Sequence, residues 1–523
     1  MKLINLIIGL VSLVSCQEKV IVGYFVPWGG VPADKLSYDK VTHINYGFGL
    51  LKNRTDPADI FFDKDYDGNA LKSLLKEARP KNVKVLISLG GWTGSQTFSK
   101  LVADKKHRQK FIENAMVYLK QGSGKPGPDG WGLDGLDIDW EYPGREGAAC
   151  NDYSPKSKQD DSDNYLKLLQ ELRKRMNTDF GEGKKLLTAA VRVTPFDKNG
   201  EPMKDVSAFA KVFDFINIMA YDIMGTWDKT TGPNAPFENG PAGKAVQLSL
   251  KQSVEDWSNA KFPLNQITAG LAFYGRTQKV SKDVDAKNMY VDNSNHTKIQ
   301  GDSKDVIEES KVCPEGPTAH SGVYRYRLLR EQKVLVGKTK AGEGYQRFFD
   351  NTTKTPYLFN KKEMKFISYD DVESLKIKVD YAIEKNLKGV MYWDMTHDYN
   401  DELLEVLQAV RGTTAQSNDC GDDYSKPTQE TKDISPAASS EENKKLKSPN
   451  TQESSQKKEG TTPIGTNKNS YTEATKGTMA KKKNNPTTTL QPKDFSPAEK
   501  SNRVQGSGFS LKFKDGKYHY SHY

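Results

Sequence analysis

Eight short runs rich in β-branched and aromatic residues recur along the chain. They read VIVGYFV (20–26), VTHINYGFG (41–49), VKVLISLGG (83–91), LDGLDIDWE (133–141), LLTAAVRV (186–193), FDFINIMAYD (213–222), ITAGLAFYG (267–275) and KGVMYWDM (388–395). Runs of this composition form strands. Between them, stretches such as NALKSLLKEA (69–78) and DNYLKLLQELRKRM (163–176) have helical spacing and strong helix formers. Strand alternating with helix predicts a parallel sheet. Eight such repeats in roughly 400 residues predict an α/β fold closed as a (β/α)8 TIM barrel. An open doubly wound sheet is the alternative, opposed by the lack of a phosphate-binding Gly loop after the first strand.

The spacing breaks once. More than about a hundred residues separate the seventh and eighth runs, too many for a plain connection in a compact domain. This interval carries apolar and aromatic runs of its own, VYRYRLL, RFFD, TPYLFN and MKFISYDD, and is expected to fold as a small α+β domain inserted at 277–365. Its barrel-facing wall would deepen the cleft above the strand ends.

The pattern fades after Val410. From Thr413 the chain is Ser, Thr, Lys, Asn, Gln, Glu and Pro, with isolated Ile434, Leu446, Ile464 and Leu490. Such a segment buries too little apolar surface to offset chain entropy, so 413–523 is expected to be a disordered tail. At the other end, MKLINLIIGLVSLVSCQ has one Lys followed by an apolar run, the layout of a signal peptide over residues 1–16. The run is short for a membrane span, and no other stretch is apolar for long enough. The folded domain is therefore expected over 17–412 and the protein outside the cell, with wall association possible through a basic surface. Leu13-Val14-Ser15-Cys16 also resembles a bacterial lipoprotein box, whereas Asn53, Asn295 and Asn351 begin glycosylation triplets that fit a eukaryotic secreted protein.

Composition removes several function classes. The hydrophobic share of 36 % is low for a globular chain, which is what a polar tail diluting an ordinary core produces. The net charge of +9 owes part of its size to tail clusters such as Lys481-Lys482-Lys483. No basic module interleaved with aromatics is present, so nucleic acid is not an expected partner. Four cysteines are too few for a disulfide scaffold; losing Cys16 leaves Cys150, Cys313 and Cys420, of which at most one pair can form within the chain. No CxxC or Cys–His spacing suggests a metal. A monomer without metal or cofactor is expected.

The fourth run carries the chemistry. LDGLDIDWEYP (133–143) holds Asp134, Asp137, Asp139 and Glu141 with no Lys or Arg beside them. Strand alternation sends Asp137, Asp139 and Glu141 to one side and Leu136, Ile138 and Trp140 to the other. In a barrel the apolar set packs under the helices, and the acids climb the interior towards the C-terminal mouth, where barrel active sites sit. Three stacked carboxyls in a low dielectric cannot all ionise, so at least one pKa rises. A Glu is kept protonated as a general acid near neutral pH in this way. A purely structural row is the bland alternative, but buried unpaired acids are costly and rare. A calcium loop would need a spacing and a Gly that are absent. Ordinary glycosidases use two carboxyls on opposite sides of the scissile bond. Residues i and i+2 approach from one side, so Asp139 is badly placed as a nucleophile for an acid at Glu141. An N-acetyl group on the substrate is the candidate nucleophile instead.

DGLDIDWEYPG (134–144) resembles the DxxDxDxE motif of glycoside hydrolase family 18, the chitinases. LISLGGW (86–92) is similar to the family's SxGG element on the third strand, and MAYD (219–222) to its sixth-strand motif. GLAFYGR (270–276) is similar to the seventh, and GVMYWDM (389–395) to the eighth, with its Trp under the reacting sugar. The resemblance runs from Val20 to Val410, and the insertion matches the deep-cleft subgroup.

The resemblance implies hydrolysis of β-1,4-N-acetylglucosamine linkages in chitin or chitooligosaccharides, endo-acting or processive, with retention through an oxazolinium ion. Glu141 would be the acid and then the base, and Asp139 would orient the acetamido group and stabilise the oxazolinium. Asp137 would share a proton with Asp139, and Tyr221 would donate its hydroxyl to the acetamido group. Met219 and Asp222 would line that subsite, Trp393 would be its floor, and Tyr24, Gly91 and Tyr142 would join the substrate contacts. Trp28, Trp92 and Trp227, in loops after the first, third and sixth strands, could stack on sugars, and Arg276 could hydrogen-bond one. Loop packing, a core position for Trp393 and a surface position for Arg276 are the plain alternatives. Asp134, of opposite parity, is expected to be structural. Two other functions stay open: trimming the chitobiose core of N-glycans, and lectin-like sugar binding without cleavage.

Overall fold

Eight parallel strands close into a barrel in the computed structural model. They are Val20–Phe25, His43–Gly49, Lys84–Gly90, Gly135–Asp139, Leu186–Val191, Phe215–Ile218, Ile267–Ala272 and Gly389–Trp393, numbered here first to eighth. Each pairs with its neighbour in sequence, and the eighth closes on the first. The structure describes residues 18–122, 130–293, 298–306 and 319–412, together with the backbone of 510–514 and 517–521. The leader at 1–16, the triplet at Asn295, and Cys16, Cys313 and Cys420 lie outside the described residues.

The period-2 pattern separates two environments. Ile21, Ile44, Val85, Ile87, Leu136, Ile138, Leu187, Ile216, Leu271 and Val390 face outward into one large core under the helices. Val20, Val22, Tyr24, Ala190, Phe215 and Met391 face the barrel interior. Trp140 continues the outward set and stacks on Phe98, ring centroids 5.0 Å apart. The predicted helices extend to Tyr66–Ala78 and Pro155–Phe180. The second starts where it does because Ser154 caps the Ser157 N–H and Pro155 takes the first turn, and it stops at Gly181, whose φ of 95° an L side chain resists.

The seventh run needs a correction. Its strand ends at Ala272, and Tyr274–Lys279 turns away to pair antiparallel with Val323–Arg325 and Lys365–Ser368. These three strands, with Thr355–Asn360 and Gln346–Asp350, form a five-stranded sheet that also carries the helix Tyr326–Glu331. The inserted α+β domain therefore begins before residue 277 and ends after 365. One continuous apolar run serves two sheets because its aromatic residues satisfy both cores, which local pattern cannot distinguish. The tail expectation also changes at one place. Ser510–Lys514 and Lys517–Ser521 pair antiparallel within a unit distinct from the barrel. Their alternating sequence around Asp515-Gly516 is a favoured hairpin signal. The rest of 413–523 lies outside the described residues.

A buried ion pair ties the insertion to the barrel. Lys378, on the helix Val372–Glu384, donates to Asp370 at 2.6 and 2.8 Å and to the Ala235 carbonyl at 2.5 Å, with both charged side chains buried. Asp370 follows the last inserted strand, and Ala235 lies beyond the sixth barrel strand. Removing one partner strands the other charge in low dielectric, which costs about 3–5 kcal/mol. Lys378→Met is accordingly expected to lower unfolding stability by about that amount in urea titration.

Candidate active site

Register places the acids. Pairing of the third, fourth and fifth strands sets Ser88 and Thr188 on either side of Asp137, and Gly90 beside Asp139. Asp137 is fully buried and collects four donors from four strands. Tyr24 Oη and Ser88 Oγ reach one oxygen at 2.8 and 2.7 Å; Thr188 Oγ1 and Asn217 Nδ2 reach the other at 2.6 and 3.5 Å. Thr268 Oγ1 donates to Asn217 Oδ1 at 2.7 Å, extending the network to the seventh strand. Burial raises the Asp137 pKa, and the Thr188, Ser88, Tyr24 and Asn217 donors oppose that rise.

Asp139 lies one step up with a buried Oδ1 that has no hydrogen-bond partner among the described residues. Burial, then the charges of Glu141 and Asp137, push its pKa well above the carboxylate range. Glu141 comes next towards the mouth, and its carboxyl is pushed up to about 7. Burial is the main cause, contact with Tyr142 works against it, and the Asp222 charge adds to it. All three carboxyls are thus pushed upward, but differently: Asp137 at the base under four opposing donors, Asp139 in the middle by burial and two acidic neighbours, and Glu141 at the rim to near neutrality. Cis peptide bonds join Glu141 to Tyr142 and Trp393 to Asp394.

The remaining residues converge unequally. Tyr221 turns its hydroxyl into the barrel, where the Met391 sulfur at 3.8 Å is a weak acceptor, and Met219 packs in the same interior cluster. Trp393 stacks on Phe48 at 5.9 Å with ring planes 13° apart, and Tyr24 leans on it at 5.6 Å. It is partly buried, so it combines packing with an open face. Trp28, Trp92 and Trp227 are 56 %, 52 % and 47 % exposed. Tyr142 meets Trp92 edge-on at 6.5 Å.

Two residues sit differently from the expected pattern, and a third sits as expected. Gly91 acts through its backbone: its N–H donates to the Asp139 carbonyl at 2.8 Å. Arg276 lies on the inserted sheet, and its Nη2 and Nε reach Asp222 at 2.6 and 2.7 Å. Its guanidinium rests 5.2 Å from the Trp227 ring centre and 5.4 Å from that of Tyr274. In this structure it organises Asp222 and Trp227. Asp134 binds the Val85 N–H at 2.9 Å and Lys84 at 3.2 Å, the structural place expected of it. Thr188, Asn217 and Phe48 were not singled out from sequence. The only signal for the first two was a polar residue at an inward position of an otherwise apolar strand.

Among the described residues, no group of three His, Cys, Asp or Glu converges to hold a metal ion, and no helix is long and apolar enough to cross a membrane. Cys150 is disulfide-bonded.

Comparison with known proteins bears on the same region. The model for glycosyl hydrolases family 18 matches residues 20–398. A chitinase-like effector of Moniliophthora roreri is 32 % identical over 398 residues, covering 74 % of this chain and 91 % of the relative. The crystal structure of a chitinase from Rhizomucor miehei is similar with a TM-score of 0.66 at 33 % identity, covering 75 % of this chain and all of that one. A Group IV chitinase of Ostrinia furnacalis, solved in complex with allosamidin, matches with a TM-score of 0.59 at 27 % identity, covering 75 % of this chain and 98 % of that one.

The electrostatics can be tested directly. Asp222→Asn removes a negative charge that favours protonated Glu141 and frees Arg276, and both changes favour the carboxylate. A carbon-13 carboxyl titration is expected to place Glu141 near 7 in the parent and clearly lower in the variant.

Proposed function

This chain belongs to glycosyl hydrolase family 18, and from that premise we propose that it hydrolyses the β-1,4 linkages of chitin, with the substrate's acetamido group as nucleophile. The observation carrying this reading is the single-sided ladder of acids. Asp139 and Glu141 rise from one strand end, so they do not flank a scissile bond as a nucleophile–acid pair must. Relatives named chitinases support the substrate.

Glu141, protonated near neutrality, gives its proton to the glycosidic oxygen as that bond breaks. The acetamido carbonyl oxygen attacks the anomeric carbon from the opposite face, closing an oxazolinium ring. Asp139 balances the developing positive charge, and the Tyr221 hydroxyl steadies the acetamido oxygen. Glu141, now a carboxylate, takes a proton from water, which opens the ring and restores the original anomeric configuration. Asp137 takes a share of the Asp139 proton when that residue turns upward, which leaves the negative charge on Asp139. Trp393 supplies the floor under the reacting sugar; Tyr24, Met219 and Asp222 wall it; Trp28, Trp92 and Trp227 carry sugars further along the cleft. The apolar leader and the disulfide at Cys150 support a place outside the cell.

One observation favours a second reading, sugar binding without cleavage: a relative covered over 91 % of its length is named a chitinase-like effector. Turnover decides between the two. Glu141→Gln is expected to bind chitin oligomers as the parent does while hydrolysis falls roughly 10²- to 10⁴-fold. Undiminished cleavage would remove Glu141 from its role, and no cleavage by the parent would leave binding alone. Because the nucleophile belongs to the substrate, fully deacetylated polymer is expected to be cut at a small fraction of the rate on chitin. Equal rates by product chromatography would contradict acetamido participation.

A further inference from the structure

We propose that Ser95 and Asn151 are positioning residues that clamp the main chain of Glu141 from two sides and so fix where its carboxyl points. The inference deepens the reading of Glu141 as proton donor and rests on it.

The fourth strand ends at Asp139, so no strand partner orders the backbone of Glu141. Its N–H and carbonyl lie in a buried site, where unpaired backbone groups are costly. Ser95 is 2 % exposed, and its Oγ accepts the Glu141 N–H at 3.1 Å. The same hydroxyl faces the Gly91 and Asp139 carbonyls at 2.9 and 3.0 Å. A hydroxyl is suited to this corner because it accepts and donates at once. On the other side, Asn151 Nδ2 donates to the Glu141 carbonyl at 2.9 Å.

Both arms are themselves anchored. Ser95 forms a parallel bridge with Leu51, just past the second strand, which ends at Gly49. Asn151 is set by its N–H to the Ala148 carbonyl at 2.9 Å and follows Cys150, which is buried and disulfide-bonded and whose carbonyl accepts Arg54 Nη2 at 3.0 Å. Gly147 closes the clamp from behind: a Cβ there would lie 2.0 Å from the Glu141 carbonyl oxygen. The main chain of Glu141 is thus held by groups from two different loops. Small errors in the direction of a reacting group are expensive in rate, of order a hundredfold for a displacement of about 1 Å.

Ser95→Ala, Asn151→Asp and Gly147→Ala test this in the full chain. The first removes the acceptor, the second replaces a donor with a carboxylate facing a carbonyl, and the third crowds both the Glu141 carbonyl and Asn151 Nδ2, which a Cβ would approach to 2.0 and 2.8 Å. Each is measured per folded molecule well below its own Tm, and Ser95→Thr, which keeps the hydroxyl, serves as rescue. The expected result is a loss of kcat on chitin oligomers of about tenfold or more in each variant, with Kd for the oligomer within about twofold. Recovery in Ser95→Thr is also expected, as is a fall in the titration midpoint of the Glu141 carboxyl. Parental kcat and midpoint in all three folded variants would overturn the proposal, as would losses that only track weakened binding. A parent that cleaves no chitin oligomer would sink the functional reading. The clamp would then stand or fall on the carboxyl midpoint alone.

Discussion

One buried carboxylate governs the layout of this site. Asp137 sits at the centre of the barrel, where an ionised group without partners would be prohibitively unfavourable. It persists because Tyr24, Ser88, Thr188 and Asn217 bring donors from the first, third, fifth and sixth strands. The same bonds that offset part of the cost of burying this carboxyl also stitch opposite walls of the barrel together. Removing any one leaves a buried polar group short of a partner, so the network holds its geometry as a unit. The strand carrying Asp137 cannot slip by a residue without exchanging every acid for a hydrophobic side chain.

The grading above Asp137 follows from that arrangement. Donors are spent on the lowest acid, and Asp139 is left with two acidic neighbours and an oxygen unpartnered among the described residues. Proton affinity is therefore high in the middle of the row. Glu141, nearer the mouth, is shifted less and ends close to neutrality. Three carboxyls of similar intrinsic acidity acquire three behaviours from burial, hydrogen bonding and neighbouring charge alone.

The insertion is more than a wall. It places Arg276 against Asp222, and Asp222 is the charge that Glu141 feels from the far side of the cleft. Arg276 also lies over Trp227. A segment that enters the chain between the seventh and eighth barrel strands thereby touches both the electrostatics of the acid and an exposed aromatic platform. The buried Lys378–Asp370 pair ties the end of the insertion to the helix Val372–Glu384.

The sequence by itself determined the barrel, the count of its strands and the inward direction of Asp137, Asp139 and Glu141. These depend on periods of two and of 3.6 residues, which are local and survive in any register. It also marked the inserted domain, through aromatic runs too dense for a loop. Tertiary structure alone decided the rest. Thr188 and Asn217 became ligands of Asp137 only through strand register, Arg276 joined Asp222 only because the seventh run divides at Phe273, and Ser95 and Asn151 meet at Glu141 from separate loops. Each of these contacts joins residues distant along the chain, and no short-range pattern encodes a meeting that exists only once the barrel has closed.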